Sequence, residues 1–141
     1  MNTENRSKYL RVALAAFGAI FVFAVYPLTL LWPSGWAWHH GRSEYLEMII
    51  ALYVTLGVFL VLASRHPERH LSLIAFTIWS SVVHGGVMAL QALANPAHAG
   101  HLAGDVPALF IVAAVLGWLC PRALMLRFND DVGGDRGNGL P

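Results

Sequence analysis

Charge and cysteine are both scarce in this chain of 141 residues. Only 12% of the residues are charged, whereas a soluble domain carries roughly 25%, so the composition points to a lipid environment. The net charge of +1 leaves no basic patch for a nucleic acid, and we expect no nucleic-acid partner. The single cysteine, Cys120, excludes an internal disulfide and a multi-cysteine metal site, and we interpret it as a small buried apolar residue.

Long apolar runs replace the missing charge. A membrane-crossing helix needs about 20 apolar residues, and four runs approach this length. We predict an all-α fold, an integral membrane four-helix antiparallel bundle, with spans at about 12–32, 46–64, 71–93 and 106–126. Residues 1–11 form an amino-terminal arm and residues 127–141 a disordered tail. A cleaved signal peptide is the alternative for the first run, but no small-residue cleavage site follows it.

The Lys and Arg residues alternate between the two sides of the predicted spans. Eight of the nine lie in the amino-terminal arm, the connector at 64–70 and the carboxyl-terminal region, and only Arg42 lies elsewhere. Positive residues are retained on the cytoplasmic side of a membrane. We therefore predict a multi-pass protein of the inner (plasma) membrane with both termini in the cytoplasm, an orientation that requires an even number of spans.

Small residues four positions apart let membrane helices approach closely. We expect helix crossings at the residues that show this spacing, namely Ala15 and Ala19, then Ser81, Gly85 and Ala89, then Ala113 and Gly117. Proline removes a backbone donor and crowds the preceding turn, so Pro27 predicts a kink in the first span.

His84 lies in the middle of the third apolar run, on a stripe with helical spacing formed by Thr77, Ser81, His84, Met88 and Gln91. Polar side chains facing lipid are costly, so this stripe is expected to point into the bundle. Reflection about the turn at Pro67 places Glu47 at the level of Val87, between His84 and Gln91. We predict an intramembrane polar cluster in the outer half of the bundle, composed of His84, Glu47, Gln91, Tyr26 and Asp105.

Within this cluster, Glu47 is the expected partner of His84. We favour a structural role for His84, and the alternative is a ligand for haem or metal, or a proton carrier. Glu47 is also favourable at the start of a helix at headgroup level, because its negative charge interacts well with the positive end of the helix dipole. Asp105 suits an N-cap that precedes Pro107 in the first turn.

Four histidines of the outer connectors are weak candidates for metal ligands, namely His39, His40, His98 and His101. We interpret the first two as interfacial residues and the last two as loop residues of a flexible connector at 94–105. No pair is interpreted as a helical metal motif with i, i+4 spacing, so we predict no metal site. The tryptophans of the first connector are interpreted as interface anchors, namely Trp32, Trp36 and Trp38.

Three segments carry a family resemblance: "YPLTLLWP", the run from "LEMIIALY" to "GGVMALQA", and "GDVPAL". Together they cover roughly residues 26–109, and they resemble an uncharacterised family of small bacterial membrane proteins, a domain of unknown function. The resemblance implies four membrane helices and no known activity or cofactor. A looser similarity is to the DoxX-like proteins, some of which are linked to quinone or thiol redox chemistry.

The chain lacks a glycine-rich nucleotide loop, HExxH and GxSxG, so an enzyme is not favoured. The leading hypothesis is a non-enzymatic accessory or oligomerising membrane subunit, as a homo-oligomer or part of a larger membrane complex. The alternative is a redox-linked protein that binds quinone or haem near His84, Glu47 and Gln91. A transporter of a small solute or ion comes third, and it would require an oligomer. Nothing in the sequence requires a cofactor.

Overall fold

A computed structural model describes residues 3–38 and 43–120, and over these ranges the regular structure is all helical. The six α-helices are α1 (Thr3–Phe23), α2 (Val25–Leu31), α3 (Pro33–Trp36), α4 (Glu44–Ala63), α5 (Leu71–Ala94) and α6 (Asp105–Leu119). Two 3₁₀ helices, Pro67–Arg69 and Pro96–Leu102, occupy the connectors that precede α5 and α6. The predicted tail, the end of the fourth predicted span, His39 and His40 lie outside the described residues.

The described helices supply three or four segments that are long and apolar enough to cross a membrane. Three of them are α4, α5 and the segment Pro96–Leu119, which joins the second 3₁₀ helix to α6. The fourth is the bent pair of α1 and α2, if the pair forms one span. These segments coincide with the four predicted apolar runs, and α1 begins well before the first of them.

The bend between α1 and α2 measures 51° and is centred on Ala24. Pro27 has no N–H to donate to the carbonyl of Phe23, and its ring crowds that carbonyl. Helical bonding resumes one residue later, where the Leu28 N–H donates to the Ala24 carbonyl over 3.0 Å. The interruption is therefore short, and the kink predicted at Pro27 is confirmed.

The helices pack in an order that differs from their order in the chain. α4 packs mainly on α1, α5 packs mainly on α6, and α1 also contacts α6. α4 and α5 are consecutive, but they scarcely touch and are separated by an open groove. The core between the other pairs contains fully buried aliphatic side chains, namely Leu10, Leu14, Leu60, Ile74 and Leu116.

The crossing of α1 and α4 is a close contact between two backbones. A Cβ atom added to Gly18 would lie 2.7 Å from the carbonyl oxygen of Gly57, and the reverse distance is also 2.7 Å. The predicted contact at Ala19 is wrong, because that residue is exposed. Gly18, the preceding residue, provides the contact instead.

The predicted small residues of α5 do lie at a helix crossing. Ser81 and Gly85 are buried, and a Cβ atom on Gly85 would lie 3.3 Å from the Cβ of Leu109 in α6. In α6, Ala113 is buried, whereas Gly117 is exposed and nothing lies near it. The prediction for Gly117 is therefore wrong, because that position lies on the outer side of the helix.

One end of the molecule is covered by α3 and the 3₁₀ helix Pro96–Leu102, and we call this the capped end. Gly104 and Gly100 lie directly against the backbone of Gly35 and Ser34, where any side chain would collide. The connector predicted to be flexible is instead helical and packed. Its start is fixed by Asn95, whose side chain accepts a 3.1 Å hydrogen bond from the Ala97 N–H.

Candidate functional site

A cavity of about 280 Å³ lies beneath the capped end, between α2, α4, α5 and the start of α6. An adjoining cavity of about 210 Å³ extends between α1 and α6. The two share Val25, Trp36, Tyr53 and Asp105 in their walls. Small-molecule sites occupy roughly 300–1,000 Å³, so each cavity alone is small, and the two together offer space for a modest ligand.

The described wall of the first cavity is largely apolar and aromatic. Its polar members are few, and two of them have local partners. Thr29 donates to the Tyr26 carbonyl over 2.7 Å, and the Ser43 hydroxyl accepts a 3.3 Å hydrogen bond from the Leu46 N–H at the start of α4. The aromatic and polar members are Thr29, Trp36, Trp38, Ser43, Tyr45, Tyr53, His84 and Asp105.

A buried pair of titratable side chains forms the roof of the site. His101 Nδ1 lies 2.9 Å from Asp105 Oδ2, and the two residues are 1% and 8% exposed. The 3₁₀ helix carries His101, the turn at 103–104 follows, and α6 begins at Asp105, which places the two side chains on the same side. A carboxylate hydrogen-bonded to Nδ1 holds the proton on that nitrogen and fixes the orientation of the ring.

Asp105 does not act as the predicted N-cap. Gly104 occupies the N-cap position of α6, and Asp105 is the first helical residue, where its charge still suits the helix dipole. Its Oδ2 atom bonds to His101, and the backbone N–H groups of Val106 and Asp105 also lie near the carboxylate. The prediction that His101 is a loop residue is also wrong, because His101 is buried within a 3₁₀ helix.

Trp38, in the first connector, packs on the His101 ring of this buried pair. Its indole stacks on the His101 ring with the centroids 4.1 Å apart and an angle of 18° between the planes. The His98 ring lies 4.8 Å from the same indole at a more tilted angle. Trp38 is therefore part of a stacked cluster with two histidines, rather than solely an interface anchor.

Two buried polar atoms of the site have no hydrogen-bond partner among the described residues. One is Asp105 Oδ1, an acceptor, and the other is Trp36 Nε1, a donor. Both residues line both cavities. Buried polar groups are nearly always hydrogen-bonded, and a molecule that can both donate and accept, whether water or a ligand, would satisfy both atoms.

His84 lines the same cavity, further from the capped end than the His101–Asp105 pair. It is half-buried, and its ring centroid lies 6.1 Å from that of Tyr53. The carboxylate that lines the cavity with it is Asp105, and Glu47 is absent from the described wall. Of its predicted stripe, Thr77, Ser81 and Met88 are buried.

The other members of the predicted polar cluster lie at the periphery. Gln91 is exposed and lines an outer groove together with His84 and Trp38. Tyr26 and Glu47 are both exposed. The structure therefore brings His84 and Asp105 to one cavity, and the partnership of His84 with Glu47 stays a prediction.

A metal centre is not evident in the described part of the chain. Within residues 3–38 and 43–120, no group of three or more His, Cys, Asp or Glu side chains is arranged to hold an ion. His98 and His101 have ring centroids 6.1 Å apart. His39 and His40 lie outside the described residues.

A second His–carboxylate contact lies at the opposite end of the molecule and is exposed. His66 Nδ1 is 3.4 Å from Glu68 Oε1. The backbone N–H of Glu68 itself is the main reason that the pKa of this carboxyl lies below its ordinary value. Exposed pairs of this kind contribute little to stability, so we assign no site here.

The sequence contained a signal for the buried pair that we did not use. His101 and Asp105 are four residues apart, but an i, i+4 pair is informative only if the backbone between them is helical. The alanines and glycines at 94–104 suggested a loop. Trp36 and Tyr53 carried no local signal, because their position in the cavity depends on how the connectors fold over the helices.

Comparison with known protein families matches residues 5–136 to a family of unknown function (DUF6632). No curated protein and no solved structure matches the chain. The match covers nearly all of the described residues, including both cavities and the capped end.

Proposed function

The chain belongs to the DUF6632 family of unknown function, and on that premise we propose that it is a small multi-pass protein of the inner (plasma) membrane that binds a modest, largely apolar molecule. In this proposal the four spans form an antiparallel bundle, both termini are cytoplasmic, and the capped end faces outward. The protein holds its ligand without transforming it.

The membrane assignment is supported by the apolar segments and by the position of the basic residues. Arg11 of α1 is close enough to Glu68 to influence it, so the start of α1 and the connector before α5 share one end of the molecule. That end carries Arg6, Lys8, Arg65 and Arg69 as well. A concentration of positive charge on one side is typical of the cytoplasmic face.

The binding function depends on one observation: Asp105 Oδ1 is buried in the wall of a largely apolar cavity and has no hydrogen-bond partner among the described residues. An unpaired buried acceptor costs about 1–3 kcal/mol. A bound molecule that donates a hydrogen bond to Oδ1 would remove this cost, while Oδ2 stays bonded to His101.

A test uses purified protein in mild detergent and native mass spectrometry. We expect the wild-type protein to carry a small molecule or to bind an added apolar probe. Val25→Phe should abolish this binding, because Val25 lines both cavities and is buried. Leu30→Phe is the matched control, since Leu30 lies on the same helix and is exposed.

The proposal fails if the protein binds no apolar molecule, or if both variants bind as the wild type does. Circular dichroism of each variant checks that the helices are retained. A bound haem would be seen as an absorption band, and loss of that band in His84→Ala would favour the redox alternative.

A purely structural, oligomerising subunit is the second candidate. The observation that favours it is the large exposed apolar surface of α4 and α5, which carries Leu52, Phe59, Phe76, Trp79, Val83 and Leu90. Lipid covers such a surface as readily as a protein partner does. The same native mass spectra report the number of chains in the complex, so one experiment addresses both candidates.

A further inference from the structure

We propose that the ligand is a long-chain amphiphile with an uncharged hydroxyl head group, which enters from the bilayer between α4 and α5. This inference rests on the proposed binding function and specifies its ligand class. The head lies beneath the capped end, and the chain lies in the groove between the two helices.

Two atoms without a hydrogen-bond partner among the described residues indicate the chemistry of the head group. Trp36 Nε1 carries a hydrogen and requires an acceptor, whereas Asp105 Oδ1 requires a donor. A hydroxyl oxygen accepts through its lone pairs and donates its proton, so a hydroxyl group has both of the functions that the two atoms require. Thr29 already donates its hydroxyl proton to a backbone carbonyl, and the Ser43 hydroxyl already accepts from a backbone N–H.

The charge of the cavity argues against an anionic head. Asp105 is the single acidic residue in the described wall of the first cavity, and that described wall contains neither Lys nor Arg. A phosphate or carboxylate head would be repelled by Asp105, at a cost that rises in apolar surroundings, and His84 is the one titratable base in the described wall that could offset it. An ammonium head would satisfy Asp105, but it has no acceptor for the Trp36 N–H.

The wall of the cavity opens toward the lipid-facing surface. Tyr45 lines the first cavity and is 78% exposed, and Ile49, one turn further along α4, is also exposed. Ile49 belongs in addition to an outer groove, which shares Trp38, His84 and Met88 with the cavity. The cavity and the outer groove are therefore continuous.

A second stretch of groove continues along the helices away from the capped end. It shares Tyr53 with the cavity and Ser80 with the outer groove, and its other members are Leu52, Thr55, Leu56, Phe59, Leu73 and Phe76. From Ile49 to Phe59 the groove follows α4 for roughly 15 Å at 1.5 Å per residue. Because the groove is apolar and begins at the polar site, a single extended chain is the occupant that fits both.

The test compares three probes that differ only at the head: hexadecanol, hexadecyl methyl ether and hexadecane. Affinities for the full-length protein in detergent are measured by competition in native mass spectrometry. The alcohol can bond to both atoms, the ether can accept only from Trp36, and the alkane can bond to neither. We expect each lost hydrogen bond to weaken binding by about tenfold.

Two variants test which residue accounts for each difference in affinity between the probes. Trp36→Phe keeps a ring and removes the N–H, so the difference between ether and alkane should disappear. Asp105→Asn retains an oxygen that can accept from His101, but it presents an amide N–H, a donor, to the cavity. The hydroxyl proton of the alcohol then has no acceptor there, so the difference in affinity between alcohol and ether should disappear. Trp32→Phe is the matched control, because the exposed Trp32 is not in the described cavity wall, and it should leave all three affinities unchanged.

The outcomes separate this inference from the function on which it rests. Equal binding of all three probes would overturn hydroxyl recognition and leave an apolar binding protein. Binding of none would overturn both. Tighter binding of hexadecylamine or hexadecyl phosphate than of the alcohol would overturn the uncharged head. A comparison of the affinities for hexadecanol and hexadecylhydroquinone identifies whether the site prefers an aliphatic or a phenolic hydroxyl. Preference for either supports the proposal.

Discussion

At the scale of single residues, Asp105 and His101 are buried titratable side chains at the capped end. A carboxylate in apolar surroundings needs a partner, and His101 Nδ1 provides one at 2.9 Å. Trp38 stacks on the same imidazole and shields the pair. These three side chains come from two connectors and one helix, so the pair also joins the connectors to the bundle.

His101→Ala should destabilise the protein by about 2–4 kcal/mol, because it leaves a buried carboxylate without its donor and removes a buried ring. Thermal or denaturant unfolding in detergent, followed by circular dichroism, measures the effect. His70→Ala is the control, since His70 is exposed, and it should change stability by less than about 0.5 kcal/mol. Equal effects of the two substitutions would contradict the importance of the pair.

His84→Ala should lower stability by about 1 kcal/mol, because the half-buried ring packs near Tyr53 in the cavity wall. The affinity for a bound molecule should stay within about twofold, since the unpaired atoms belong to Trp36 and Asp105. Unfolding in detergent and native mass spectrometry give the two values. Unchanged stability combined with lost binding would show that His84 is a ligand-binding residue instead.

At the scale of helices, close backbone contact replaces large side chains where α1 crosses α4. Gly18 and Gly57 face each other, and each would place a Cβ atom against the other's carbonyl oxygen. In lipid, helices associate through such close packing because burial of apolar surface provides little driving force between them. The approach of α1 to α4 therefore depends on the absence of two side chains.

Gly57→Ala should destabilise the protein by about 1–3 kcal/mol, because the new methyl group would overlap the Gly18 carbonyl and the helices would have to separate. Gly86→Ala is the matched control, since nothing lies within 4 Å of a Cβ atom at that position. It should be neutral or stabilising by up to about 1 kcal/mol, through helix propensity. Unfolding of both variants in detergent provides the comparison, and a Gly57→Ala protein as stable as the wild type would show that the crossing tolerates a side chain.

At the scale of the whole molecule, the helix order leaves α4 and α5 apart and a groove between them. α1 occupies the position between α4 and α6, so the hairpin of α4 and α5 is held by its neighbours instead of by mutual contact. The capped end closes the groove where the two connectors meet. This arrangement produces a cavity with a lateral opening, which a tightly packed four-helix bundle would not have.

The proposed orientation predicts the location of reporter fusions in cells. A reporter joined after Asn95, next to the 3₁₀ helix of the capped end, should be detected outside the membrane. A reporter joined after Asp130 should be detected in the cytoplasm, because four spans return the chain to its starting side. Detection of both reporters on one side, or of the two termini on opposite sides, would contradict the four-span topology.

The sequence by itself predicted the all-α class, the bend at Pro27 and the apolar segments, of which three or four are long enough to cross a membrane. These features depend on local properties: the length of an apolar run, and the missing N–H of a proline. The burial of Thr77, Ser81 and Met88 followed from helical spacing for the same reason. His84 and Asp105 were identified because a polar residue in an apolar environment is conspicuous in a sequence.

Only the tertiary structure decided what those polar residues contact. The hydrogen bond between His101 and Asp105 requires helical backbone at 96–102. The small residues of this connector do not specify a helix by themselves, and in the structure α3 packs against them. The unpaired Trp36 and Asp105 atoms, the glycine contact of α1 with α4, and the separation of α4 from α5 all involve residues distant in the chain. Hydropathy and spacing act within one helix, whereas a cavity is produced by the way several helices and connectors fit together.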